Sequence, residues 1–244
     1  MEDWKMPSYH YSQGTKLALN MIIMGFLVKI IRKEWLTHNV IQFVLERPKE
    51  FQCSIGDAVD IILEPSGPKQ RSAPFTLTNL PDSTVLELII KVYPDRKGFT
   101  AALSKKEIGD TLDISEAWRS FEYLGKGTFI AAGSGITPFI PMIKEAKRRG
   151  TLSGHKLIYA NRNLEDIILK NELEEFLGLH CCNILSRERA AGYAHGRIDR
   201  KYLNSRVTEP DQYFYVCGPD AFSQNVKGLL MNLGVKERNI QIGY

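Results

Sequence analysis

The chain has 244 residues, 43% of them apolar, a formal net charge of +4 and four cysteines. That length suits one large domain or two ordinary ones with real hydrophobic cores, and the charge is far below the clustered basicity of a nucleic-acid binder. Cys53, Cys181, Cys182 and Cys217 show no Cys-x-x-Cys spacing, which argues against a disulfide framework or an iron–sulfur cluster and for a reducing, cytoplasmic setting.

Residues 1–23 read as an extension, with Met24 a natural start for the folded part. The apolar run 17–31 is interrupted by Asn20, Gly25 and Lys29 and is short for a bilayer span, so it reads as a strand and not as a membrane anchor. From 26 to 114 short β-rich runs alternate with turn residues, the pattern of an antiparallel barrel or sandwich. The expected strands are 26–32, 38–46, 57–63, 75–79, 84–92 and 110–114, punctuated by Pro48, Gly56, Pro65, Pro68 and Pro81. A short helix is expected over 100–106, opened by Gly98.

The texture changes between 117 and 126. Strands at 128–132, 156–160, 181–185, 212–217 and 239–243 then alternate with helices near 137–149, 165–177, 199–204 and 220–233, which predicts a parallel sheet with helices on both faces. Lys147, Arg148 and Arg149 followed by Gly150 close the first of these helices, cations meeting its negative end. Charge differs between the halves: residues 1–122 hold 15 Lys/Arg against 16 Asp/Glu, and 123–244 hold 17 against 12. The second half suits an anionic ligand or an acidic partner.

The strand at 128–132 runs into Gly133-Ser134-Gly135-Ile136-Thr137-Pro138. Glycines there let the backbone turn tightly and approach a pyrophosphate, and the N–H groups of the following helix start favour the anion. Two upstream segments fit a flavin. Pro74-Phe75-Thr76 offers an aromatic face and a hydroxyl, and Gly98-Phe99-Thr100 offers a glycine and a hydroxyl at a helix start.

In that order these segments resemble the ferredoxin–NADP reductase superfamily, flavoproteins with an FAD-binding Greek-key β-barrel followed by a Rossmann-like nicotinamide-binding α/β domain. The resemblance spans 24–244 and implies a barrel over 24–120 and an NAD(P) domain over 121–244. It implies that Phe75 packs on the isoalloxazine, that Thr76 faces the flavin N5, and that Gly98, Phe99 and Thr100 hold the flavin pyrophosphate. The family's flavin motif reads Arg-x-Tyr-Ser/Thr; here its arginine position holds Ala73, and the nearest arginine is Arg71. The family's loop Gly-x-Gly-x-x-Pro matches Gly133, Gly135 and Pro138, with Thr137 inside it, which accounts for the missing third glycine. Its Cys-Gly-Pro element matches Cys217-Gly218-Pro219, where the cysteine lies beside the nicotinamide C4.

Ser186-Arg187 after the third strand is similar to the Ser-Arg of NADP-using members, and Arg162 supplies a second cation for a 2′-phosphate. NADPH is therefore favoured and NADH left open. Tyr244 resembles the terminal tyrosine that stacks on the flavin in plant-type members. Residues 193–197, including His195, read as a loop without a chemical role. The expected activity is hydride transfer from NAD(P)H to FAD and electron delivery to a separate acceptor such as ferredoxin or flavodoxin. A reductase component of an oxygenase, a ferric or flavin reductase, and a non-catalytic electron-transfer subunit are the alternatives.

Overall fold

A computed structural model describes residues 25–63, 71–93 and 98–243, without the side chain of Arg71. Tyr244 and the extension over 1–23 lie outside the described residues. The first half is antiparallel. Strand β1 (Phe26–Thr37) pairs with β2 (Val40–Glu46), bulging between Ile30 and Arg32 and between Trp35 and Thr37. With β3 (Asp57–Leu63), β4 (Arg71–Thr76), β5 (Val85–Lys91) and β6 (Thr111–Ile114) the order is β4-β3-β6-β1-β2-β5. A bridge from Leu77 to Leu88 joins the two ends, so the sheet closes into the expected barrel. Its interior is filled by Val28, Ile30, Phe43, Val59, Leu86 and Leu112, all buried. The helix α1 (Phe99–Leu103) packs beside β4.

Strand β1, expected over 26–32, runs on to Thr37, and one other strand is displaced. The run 75–79 forms β4 four residues earlier, ending at Thr76. Pro74 is tolerated there because β4 has a full strand partner only in β3, where Pro74 faces Asp60, so its missing N–H costs no ladder bond. Beyond Thr76 the chain crosses over, Thr78 N–H donating to the Glu87 carbonyl of β5 at 2.9 Å. The two-residue β7 (Trp118–Arg119), pairing with β3, is too short to carry a sequence pattern.

The second half is a parallel sheet of β8 (Gly127–Ala132), β9 (Lys156–Asn161), β10 (Cys181–Leu185), β11 (Ala194–His195), β12 (Tyr213–Cys217) and β13 (Ile240–Ile242), ordered β11-β10-β9-β8-β12-β13. Alternation within each strand separates two cores. Phe129, Ala131, Tyr159, Tyr215 and Cys217 face α2 (Phe139–Arg148) and α3 (Lys170–Leu177). Ile130, Ile158, Phe214 and Val216 face α4 (Arg200–Asn204) and α5 (Asp220–Asn232). His195 is therefore not a loop residue: it pairs with Leu185 at the sheet edge.

The helix expected over 165–177 begins only at Lys170. Asn163 and Asp166 cap a short 3-10 turn, Ile167 and Ile168 then plunge into the core, and Leu169 takes φ 52°, the one non-glycine residue with positive φ among those described. Ile167 takes extended backbone (φ −74°, ψ 107°) and the chain turns at Ile168 and Leu169, which delays the helix. Among the described residues no helix is long and apolar enough to cross a membrane.

The barrel and the sheet share a core. Val40 and Ile89 of the barrel and Phe121 of the connection join the cluster around α2, and the Lys144–Glu87 (3.6 Å) and Arg148–Asp82 ion pairs cross the same boundary. The connection is clasped to the sheet as well. Tyr215 Oη accepts from Leu124 N–H at 3.0 Å and donates to the Gly125 carbonyl at 2.7 Å. Buried His155 faces the Thr151 carbonyl through Nδ1, which must therefore donate, so Nε2 accepts from the Tyr123 hydroxyl at 2.7 Å.

Burial lowers the His155 pKa below its ordinary 6.5, outweighing the backbone hydrogen bonds that raise it. The folded protein thus binds the proton less readily than the unfolded chain. The resulting stabilisation is complete above pH 6.5 and is lost as pH falls through the lowered value. Urea unfolding across this range will show stability declining on acidification, and His155→Asn will flatten that decline.

Candidate functional site

The chain leaves β8 for β9 on one side and later returns from β11 to β12 on the other side of β8, so the strand order switches there and a crevice opens at the carboxyl ends of β8 and β12. Two of the sequence motifs meet there. After β8, Gly133 adopts φ 54° and the chain makes a 3-10 turn over Gly133–Ile136 before Pro138 caps α2. Gly135 lies flat against the end of β12: a Cβ on it would strike the Cys217 carbonyl oxygen and stand 2.7 Å from Gly218 N. Gly218 is equally confined, since its Cβ would come within 2.7 Å of the Phe222 ring and 3.0 Å of Ala132 Cβ. Glycine at both positions lets the loop after β8 pack directly on the end of β12.

Side chains from below brace the loop. Fully buried Tyr159 donates from its hydroxyl to the Gly133 carbonyl at 2.8 Å, and burial drives its pKa far up. Thr137 Oγ1 donates to the Ser134 carbonyl at 3.1 Å. The barrel contributes a cation: Lys91 Nζ lies 3.9 Å from the Cβ position of Gly133. Neither Tyr159 nor Lys91 carries a sequence signal, because each acts from a distant segment.

Cys217 closes the crevice. It is 8% exposed, and burial pushes its thiol pKa up to about 12, only partly offset by a backbone hydrogen bond involving Gly218. The sulfur is therefore a neutral thiol at physiological pH and not a nucleophile. Gly243 runs past it, its Cβ position 3.5 Å from the sulfur, and Phe121 fills the space beside Gly243. Pro219 follows as the exposed N-cap of α5.

The flavin-type elements lie on the barrel side. Ala73 and Phe75 alternate with Pro74 and Thr76 along β4. The Phe75 ring is 5.9 Å from that of Phe99, tilted by 30°, and Gly98 caps α1 with no side chain over the helix start, beside Thr100. Backbone hydrogen bonds tie this end to Phe121: Leu77 N–H, just past Thr76, donates to Asp57, and Phe121 N–H donates to neighbouring Gly56. Phe121 in turn packs beside Gly243, whose Cβ position is 3.5 Å from the Cys217 sulfur. The glycines at the two helix starts, free of side-chain caps, fit a flavin dinucleotide and a nicotinamide dinucleotide.

Arg162 and Arg187, both exposed, sit farther along the sheet. Arg187 N–H donates to the Arg162 carbonyl at 2.9 Å, and Ser186 N–H to that of Asn161 at 3.0 Å. The three residues expected to share one task are brought side by side. Arg187 lines an open pocket with Asn163, Leu164, Glu165 and Glu188. Sequence reading passed over Glu188.

The model of the oxidoreductase FAD-binding domain family matches residues 27–123, and that of the oxidoreductase NAD-binding domain matches 129–228. The chain is 28% identical over 191 residues to a nitrate reductase [NADPH] of Leptosphaeria maculans, covering 67% of this chain and 21% of that protein; it spans about a fifth of the nitrate reductases it matches. It is 26% identical to the NADH-cytochrome b5 reductase 2-A of Vanderwaltozyma polyspora, covering 91% of this chain and 82% of that one. The FAD/NAD-binding domain of the nitric oxide dioxygenase of Vibrio cholerae superposes with a TM-score of 0.79 at 19% identity, covering 89% and 97% of the two chains. The barrel, the parallel sheet and the two matched domains make this chain a member of the ferredoxin–NADP reductase superfamily and an FAD-dependent NAD(P)H oxidoreductase.

Proposed function

We propose that this chain holds FAD on its barrel and NAD(P)H, with NADPH preferred, along the carboxyl edge of its parallel sheet, and delivers electrons to a separate protein. The observation that carries this reading is the contact of Gly135 with the Cys217–Gly218 peptide, which joins the phosphate loop and the nicotinamide end in one rigid unit. When bound, the cofactors supply the redox chemistry, a hydride passing from nicotinamide C4 to flavin N5.

The chain supplies positions. Gly133, Gly135, Thr137 and Pro138 present backbone to the nicotinamide pyrophosphate, and Lys91 adds charge. Phe75 and Thr76 hold the flavin ring, while Gly98, Phe99 and Thr100 receive its pyrophosphate. Cys217, Gly218 and Pro219 orient the nicotinamide. The buried Cys217 thiol fits a positioning role, because burial keeps it uncharged. Ser186, Arg187 and Arg162 suit a 2′-phosphate, the basis of the preference for NADPH.

A haem protein of the cytochrome b5 kind is the acceptor this reading favours, since the V. polyspora relative is named a cytochrome b5 reductase. Ferredoxin or flavodoxin is the second reading, supported by the positive second half.

The purified protein is expected to show a flavin spectrum that anaerobic NADPH bleaches; a colourless protein that takes up no FAD would overturn the proposal. Cys217→Ala should slow that bleaching at least about tenfold with FAD retained, since small misplacements of reacting groups are costly. Gly135→Ala should cost about 1–3 kcal/mol of stability in denaturant unfolding, as overpacking does, and abolish the response to NADPH. In stopped-flow mixing, the reduced protein should pass electrons to cytochrome b5 faster than to ferredoxin.

A further inference from the structure

The pocket beside Arg187 is not simply basic. Glu165 and Glu188 line it with Arg187, and the two carboxylates differ. The Glu165 side chain is 70% exposed and leans toward His38 of the barrel, 4.0 Å away, so water and a neighbour screen it. Glu188 is half-buried and fixed: its Oε2 accepts from Leu164 N–H at 2.7 Å, and its main-chain carbonyl accepts from His195 Nδ1 at 2.8 Å. One residue thereby staples the loop after β10 to the loop after β9 and to the edge strand β11. Its anionic side chain is held next in sequence to the cation expected to receive a 2′-phosphate.

We propose that Glu188 sets the nicotinamide specificity, its fixed carboxylate opposing Arg187 so that NADPH is preferred only weakly and NADH is still accepted. The inference rests on the reading of Ser186, Arg187 and Arg162 as the 2′-end of the cofactor site. A 2′-phosphate brings up to two negative charges to a pocket already lined by the anchored carboxylate of Glu188. The 2′-hydroxyl of NADH meets no such repulsion and can donate to a carboxylate. A partly buried, immobilised charge is screened less than an exposed one, so Glu188 outweighs Glu165. The Leu164 N–H needs an acceptor but not an anion, so Glu188→Gln separates the two roles of this side chain: it keeps the staple and removes the charge.

The test is calorimetric titration of the full FAD-loaded chain with adenosine 2′,5′-bisphosphate and with 5′-AMP, for wild type, Glu188→Gln and Arg187→Ala. Glu188→Gln should tighten the bisphosphate about fivefold while 5′-AMP changes less than about twofold, and the gain should shrink as salt is raised. The kcat/KM ratio of NADPH to NADH should rise in parallel. Arg187→Ala should lower the bisphosphate preference. If Glu188→Gln leaves the preference unchanged, or weakens both nucleotides alike, while Arg187→Ala lowers it, Glu188 is only a brace: the inference falls and the 2′-end assignment stands. If Arg187→Ala affects both nucleotides equally, the 2′-end assignment fails and the inference with it.

Discussion

The position of Phe121 is the constraint on which the rest of this molecule depends. Two glycines make room for it. A side chain at Gly56, which sits at φ 90°, would strike the Phe121 carbonyl, and one at Gly243 would strike its ring. The ring packs edge-on to Phe139 of α2, centroids 5.3 Å apart, and near Tyr215 of β12. The backbone N–H is bonded to Gly56 of the barrel at 2.9 Å. A fully buried aromatic side chain contributes about 1.5–3 kcal/mol by burial alone. Its larger effect is geometric: the end of β4 and the end of β12 are set at a fixed separation, and those are the ends where Thr76 and Cys217 stand.

That arrangement suits a reaction in which the protein contributes alignment more than proton transfer. The sulfur of Cys217 is neutral, Tyr159 is buried and far above its ordinary pKa, and His155 is held neutral at the linker. These three groups are thus kept from titrating near neutrality. Charge is placed instead at the edges, with Lys91 by the glycine loop and Arg162 and Arg187 along the sheet, where phosphate groups of a dinucleotide would need it. The cofactors bring the electrons, and the chain brings rigid, glycine-lined contours that let two ring systems come close.

Much of this was legible in the sequence because it lies in backbone requirements. Gly133, Gly135 and Pro138 declare a tight turn before a helix by their residue types alone, and the switch from period-2 runs to alternating strands and helices declares two architectures. What stayed hidden depends on contacts between distant segments. Lys91 is 42 residues from Gly133 in sequence, and nothing local marks it; Glu188 looks like any surface glutamate until its hydrogen bond to Leu164 is seen. The two misplaced elements have local causes that tertiary structure resolved. The strand expected from 75 takes in Pro74, which occupies the unladdered side of β4, and residues 167–168, expected inside a helix, turn into the core before Lys170.

The parallel sheet also ends in a way that bears on how copies of the protein behave in a crowded solution. Its outermost strands are β11, with two residues, and β13, with three, while the inner strands run to five or six. The barrel, joined through Leu77 and Leu88, has its two end strands bridged to each other. Strand-to-strand addition between molecules needs a long row of unpaired backbone groups. The parallel sheet offers none among the described residues, so this half of the fold is guarded against templating its own aggregation.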